Sequence, residues 1–315
     1  MTDDSSTRRP RQSRKKHTMT HLILVGAVYM DTILTVPRFP EEDSKLRATD
    51  VQVRRGGNVG NTLEVLAQFQ ASPAAAVRGL QVCLVACLPE AKSPATTKIL
   101  RSFGPYHDGT EEHDDSRVAR SGGKGTERKP TRSVIDHARC LFRQGHEQPA
   151  SSYILRSAET GSRTIVNHNP LPEMTPEEFE GIAEGFAASC GEGHRFWWHF
   201  EGRIPETTLR CIRHLREKMP GCTISVEVEK PGRDGLAELA AEADVVFYSR
   251  SWAQHRGYHT PEACLRAEAA SSKASLMCCT WGEDGAGAYA PTSGEYVHRR
   301  VATTTTSGSN ISVVE

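Results

Sequence analysis

The chain has no excess charge of either sign. Among 315 residues, 39 Lys and Arg are balanced by 39 Asp and Glu, and the isoelectric point is about 7.2. It lacks the basic field that nucleic acid or an anionic membrane attracts, so neither is an expected partner. No apolar run approaches the roughly 18 residues of a membrane-spanning helix. No Cys-x-x-Cys pair occurs, and the nine cysteines are an odd number. Cys83, Cys87, Cys278 and Cys279 lie inside apolar runs. This pattern argues against a disulfide framework or a zinc ribbon and for reduced, buried thiols in the cytoplasm. Hydrophobic residues make up only 37% of the chain, so some segments are expected to lie outside the core.

What is present is an alternation. Buried-strand patterns in "HLILVGAVYM", "LQVCLVACL", "FWWHFEG", "TISVEVE", "DVVFYS" and "ASLMCCTWG" are separated by helix-like stretches. These are "NTLEVLAQF", "PATTKILRSF", "PETTLRCIRHLREKM", "DGLAELAAEA" and "TPEACLRAEAASS". Such alternation predicts βαβ units and a mostly parallel sheet with helices on its faces. "KLRATDVQVRR" and "SSYILRSAETGSRTIVNHN" instead alternate polar and apolar residues. They predict half-exposed antiparallel strands in a small accessory sheet.

Two segments fit no element. Residues 1–18 are polar, with Arg8, Arg9, Arg11, Arg14, Lys15 and Lys16, and read as a disordered basic leader before a single domain over 19–315. The apolar run that follows ends at Asp31 with no small-residue cleavage site, which argues against a signal peptide. Residues 104–132 form a polar insertion. Its His107, Asp108, His113, Asp114 and Asp115 have no preorganised geometry, so no metal site is expected there. Its "GGKGT" misses the phosphate-loop pattern and has no strand before it.

The most informative stretch is "VRRGGNVGNTLEVLA", Val53 to Ala67. Two glycines and Asn58 open a helix, and Asn61 stands one turn further on the same face. Asp31 lies just beyond the first apolar run, toward the crevice where open α/β sheets bind ligands. A carboxylate and two amides suit the hydroxyls of a polyol. Taken alone, the same residues also make an ordinary Asp turn and helix cap.

These motifs resemble the sugar-binding end of the ribokinase-like (phosphofructokinase-B) carbohydrate kinases. "GAVYMDTI" and "RRGGNVGNTLEVLA" carry the resemblance. "PRFPEEDSKLR", "GSRTIVNHNPLPEM", "FEGR", "SVEVEKP", "VFYSRSWAQHRGY" and "TWGEDGA" follow in the family's order and resemble its ketohexokinase branch. The resemblance implies a three-layer α/β fold with a mostly parallel central sheet. A small antiparallel lid would form from about 32–55 and 151–168. It implies that Asp31, Gly57, Asn58 and Asn61 hold sugar hydroxyls. Arg163 would reach the nucleotide phosphates, and Thr280, Trp281, Gly282 and Glu283 would border the nucleotide. ATP and Mg2+ are the implied cofactors, and a homodimer through the lid strands is the implied assembly. The implied reaction is phosphorylation of a ketohexose, fructose, at its 1-hydroxyl.

The sequence departs from the family in one respect. The Gly-Ala-Gly-Asp run that supplies the family's general base and an amide-lined helix start does not occur. "GAGAY" at Gly285 has no aspartate, and "SVVE" at the end resembles the strand residues before that motif. The expectation is a chain truncated before its catalytic aspartate, with its C-terminal part missing and little or no turnover. A sugar- or nucleotide-binding pseudokinase, or a related nucleoside or sugar kinase, is the alternative. Glu227 and Glu229, alternating with Val226 and Val228, match the family without a safe role.

Overall fold

The computed structural model describes residues 19–71, 79–104, 135–190 and 193–301. The basic leader, nearly all of the polar insertion and the stretch after Val301 lie outside the described residues.

Nine strands form the main sheet. Across it run β15 (Glu295–Arg299), β14 (Ala286–Ala290), β13 (Leu276–Thr280), β12 (Val245–Tyr248) and β11 (Thr223–Val228). Then follow β10 (Arg195–Phe200), β1 (Thr20–Val25), β4 (Leu80–Val85) and β6 (Ile135–Asp136). Every pairing from β13 to β6 is parallel, and only β14 and β15 turn back antiparallel. All the parallel strands therefore end at one edge, where α/β folds place ligands.

Side-chain alternation along β1 builds two cores. Ile23 and Val25 pack with Trp198, Phe200, Ile224, Val226 and Val228 in one. Its cover is α3 (Pro176–Ser189), α4 (Pro205–Lys218), α5 (Leu236–Glu242) and α7 (Pro261–Glu268). Leu24 faces the other core, with Val82, Leu84, Val59 and Leu63, covered by α1 (Asn58–Ala71) and α2 (Pro94–Arg101). Burial on both faces explains why these strands read as continuous apolar runs. The second core stops at β1, β4 and β6. On that face of β10 and β11, Trp197 Nε1 donates to Ser225 Oγ at 2.8 Å, and His199 Nδ1 lies 2.9 Å from the same hydroxyl.

The accessory sheet has the order β3 (Asp50–Gly56), β2 (Tyr29–Val36), β8 (Ser151–Ser157), β9 (Arg163–His168). Both stretches with half-exposed alternation are strands here. The outer pairings are antiparallel, but β2 and β8 pair in parallel, so the lid is mixed. Of the strands in these stretches only β8 alternates in burial, while β9 is exposed throughout and β3 as far as Arg54; alternation is also blind to strand direction, which the long connection between β2 and β8 decides.

The structure also divides two runs that read as single strands. "HLILVGAVYM" breaks at Gly26–Val28 into β1 of the main sheet and β2 of the lid. A Cβ at Gly26 would lie 2.5 Å from Glu201 Oε2 and from Val59, so the turn needs glycine. "LQVCLVACL" breaks at Ala86 into β4 and β5 (Cys87–Pro89), which pairs with β7 (Leu141–Arg143). Helix α3 is additional to the helices expected from the sequence, and "TPEE" marks its start. Thr175 and Glu178 form a reciprocal capping box with Pro176 at the first turn. α6 (Arg250–His255) is a further short helix, capped by Ser249.

Candidate functional site

The site candidate is the edge where the parallel strands end, roofed by the lid. Asp31 is the third residue of β2, paired in register with Arg54 on β3 and Ser152 on β8. It therefore belongs to the lid sheet rather than to a loop after the first strand. It is 8% exposed. Burial pushes its carboxyl above the usual range. The Ser152 hydroxyl and the charges of Arg54, Arg55 and Arg163 oppose that shift. Gly56 lies directly against this carboxylate, and a methyl group there would overlap it. Gly57 has φ +89°, and a Cβ would sit 2.5 Å from the Ala27 carbonyl oxygen. The two glycines thus serve internal packing of Asp31 and of the β1–β2 turn, a reason the sequence alone did not separate from ligand approach.

Asn58 begins α1 immediately after Gly57, two residues beyond the Gly56 that lies against the Asp31 carboxylate. Asn58 Nδ2 donates to Glu227 Oε1 on β11 at 3.1 Å. With its NH2 engaged there, the amide oxygen of Asn58 is the group left to accept from a ligand hydroxyl. Asn61 lies one turn on, half-buried, its backbone N–H bonded to Gly57 O at 2.9 Å.

Two carboxylates complete this end. Glu201, after β10, accepts from the Ala27 backbone N–H at 2.8 Å through Oε2, and burial raises its pKa. Glu227 is pushed up to about 8, first by burial, then by Glu201 and Glu229, with the Asn58 hydrogen bond and Arg233 opposing. Near neutral pH, Glu227 is therefore mostly a neutral carboxyl. The sequence showed Glu227 only as an acid alternating with valines. Its signal was a single carboxylate in a central strand otherwise free of charge. Glu229, two residues on, is exposed.

A small cavity of about 40 Å³ adjoins Glu201, walled by Gly26, Val85, Ala150, Asn169 and Phe200. It has room for a water molecule or so, not for a sugar. Asp31, Asn58 and Asn61 do not line it. The candidate site rests instead on Asp31 packed against Gly56 and on Asn58 bonded to Glu227.

The four nucleotide-side residues gather at the end of β13, two strands from β11 and so roughly 10 Å along the same edge. Thr280 and Glu283 are exposed, whereas Trp281 is buried at 7% exposure beneath the Arg250 guanidinium, 5.8 Å from its ring centre. Trp281 N–H donates to Gly285 O at 2.7 Å, and Gly282 (φ +61°) makes the turn. Arg163 lies exposed at the start of β9, paired with Arg156, and its charge reaches Asp31. Its position is thus established on the lid, on the Asp31 side.

Parallel sheet, covering helices and four-stranded lid together are the ribokinase-like fold. Ribokinase from Giardia lamblia superposes with a TM-score of 0.64 at 11% identity, over 92% of this chain and 76% of its own. Arabidopsis thaliana ribokinase, solved with ribose and ATP, superposes with a TM-score of 0.56 at 12% identity, over 90% of this chain and 78% of its own. No family model matches the sequence. The chain is a homologue of ketohexokinase: it is 27% identical to the Mus musculus protein over 286 residues, 88% of this chain and 79% of that one. Among the described residues, no helix is long and apolar enough to cross a membrane.

Proposed function

We propose that the chain is of the ketohexokinase type, whose reaction transfers the terminal phosphoryl group of ATP to the 1-hydroxyl of a ketohexose such as fructose; these 315 residues carry the sugar- and nucleotide-binding positions but not the Gly-Ala-Gly-Asp run with the general base, so sugar binding with little or no turnover is the expected behaviour. The observation that carries this reading is the junction of Asp31, Gly56–Gly57 and Asn58 at the sheet edge, with Asn58 tied to Glu227. Asp31 accepts from sugar hydroxyls, and a buried carboxylate does so with charge-assisted strength. Asn58 accepts through its amide oxygen, and Asn61 adds a donor and an acceptor one turn away. The 27% identity to ketohexokinase supports a ketose over a nucleoside.

ATP with Mg2+ supplies the phosphoryl group and the cation that offsets its charge. The exposed rim of Thr280 and Glu283 over buried Trp281 fits a nucleotide, with Gly282 providing the tight turn. Arg163 suits phosphate because its guanidinium is a planar, permanently charged fork. Nine cysteines without a disulfide among the described residues fit a cytoplasmic setting.

We further read the outer face of the lid as a homodimer contact. Register puts Val51, Val53, Tyr153 and Val166 on the face opposite Asp31, at 59%, 48%, 54% and 63% exposure. An apolar sheet face this open calls for a partner, and a second lid fits it.

The test is titration calorimetry with D-fructose, beside a coupled ATP/fructose assay, on this chain and on Asp31→Asn and Asn58→Ala. Fructose binding weakened at least tenfold by each substitution supports the reading. Binding unaffected by both, or preference for a nucleoside, overturns it. Binding without turnover makes the chain a sugar-binding relative rather than a kinase.

A further inference from the structure

At the opposite end of β1, three side chains of metal-ligating type converge. His21 stands near the start of β1, Cys190 follows α3, and His194 directly precedes β10. His21 Nε2 lies 2.8 Å from His194 Nδ1 and 3.5 Å from Cys190 Sγ, and the three ligand atoms are all within 4.8 Å of one another. Cys190 and His194 are close in sequence, while His21 is 169 residues from Cys190. Only the parallel pairing of β1 with β10 unites them.

We propose that His21, Cys190 and His194 form a site for a borderline-soft divalent metal, Zn2+. One thiolate and two imidazoles are the donor set that this ion prefers. Tetrahedral zinc, with bonds of about 2.0–2.1 Å to nitrogen and 2.3 Å to sulfur, holds its ligand atoms roughly 3.3–3.6 Å apart. The Cys190–His21 separation already matches. The histidine pair opens by about half an ångström to admit the ion, a movement that small side-chain rotations supply. Water takes the remaining position.

The histidine ring is held in place before any ion arrives. His21 stacks on His194, with centroids 5.1 Å apart, and on Phe196 at 5.3 Å, and meets the edge of Phe186 on α3 at 6.4 Å. One support is missing: His21 Nδ1 is buried without a hydrogen-bond partner. A ligand histidine normally donates from its second nitrogen, and losing that partner weakens metal affinity about 10–100-fold. The site is accordingly weaker than a fully supported structural zinc centre. It lies about 16 Å along β1 from the Gly26 turn, by strand rise. Its effect is to tie the end of α3 to the starts of β1 and β10, apart from any chemistry at the other edge.

Cobalt titration of the whole, reduced, metal-stripped chain tests this directly. One Co2+ per chain is expected to give a thiolate-to-metal charge-transfer band, which Zn2+ abolishes by displacement. Cys190→Ser removes the band and weakens zinc binding at least tenfold. His194→Asn, a milder change should Cys190→Ser fold poorly, also weakens it at least tenfold. Zinc raises the thermal midpoint of the unsubstituted chain and not that of either variant. No charge-transfer band, or zinc binding and thermal shifts equal in all three proteins, overturns the proposal.

Discussion

Replacing Glu227 by Gln removes one ionisable carboxyl while keeping an oxygen to accept from Asn58. In the unfolded chain this carboxyl titrates near 4.5; in the folded protein burial and the neighbouring Glu201 carry it to about 8. Below pH 4.5 it is protonated in both states and contributes no pH dependence. Between the two values the folded protein holds a proton that the unfolded chain has released, so stability falls as pH rises. Above about pH 8 the loss is complete. At about 1.36 kcal/mol per tenfold change in proton affinity, the gap amounts to roughly 3 kcal/mol at pH 7 and more than 4 kcal/mol above pH 8. Some solvent reaches the side chain, which lowers the cost to on the order of 1–2 kcal/mol. Glu227→Gln should therefore match the original chain at pH 5 and exceed it at pH 8.5, with a thermal midpoint higher by about 2–8 °C. Thermal unfolding of both proteins from pH 5 to 9 is the assay. Parallel curves across that range would show that Glu227 ionises freely and that Asn58 is not held by a neutral carboxyl.

Gly56→Ala should cost about 1–3 kcal/mol, because the new methyl group overlaps the Asp31 carboxylate and one of them must move; denaturant midpoints check the stability, and fructose affinity should fall with it. Asp31→Asn should weaken fructose binding by about 1.5–3 kcal/mol, roughly 10- to 150-fold, through loss of a charge-assisted acceptor. Its folding stability should hold or rise, since the ionised form is disfavoured by burial; calorimetry and thermal unfolding on one sample separate the two effects. Tyr153→Glu with Val166→Glu should leave sugar affinity intact while shifting sedimentation from dimer to monomer. An unchanged sedimentation coefficient, or a monomer before substitution, would remove the lid-face contact.

Local patterns in the sequence were enough to establish the main architecture. Apolar runs such as Ile23–Val25 and Val82–Val85 are buried on both faces, so composition alone marks them as parallel-sheet strands. The alternation in Ser151–Ser157 marks a one-sided strand for an equally local reason, whereas Asp50–Arg54 and Arg163–His168 alternate in sequence yet are exposed on both faces. Gly-Gly-Asn before an apolar run placed the start of α1 at Asn58 because helix starts and turns are governed by near neighbours. The tertiary structure decided what depends on distant parts of the chain. It divided Val25 from Tyr29 because Glu201 and Val59 crowd Gly26. It ran β2 parallel to β8, a direction that side-chain alternation does not encode. It paired Asn58 with a residue 169 positions away, and so turned Glu227 from an acid of no evident use into a neutral carboxyl that orients an amide. His21 met Cys190 and His194 in the same way. Ligand sets and proton affinities are set by distance and burial, and between residues far apart in sequence both exist only once the sheet has formed.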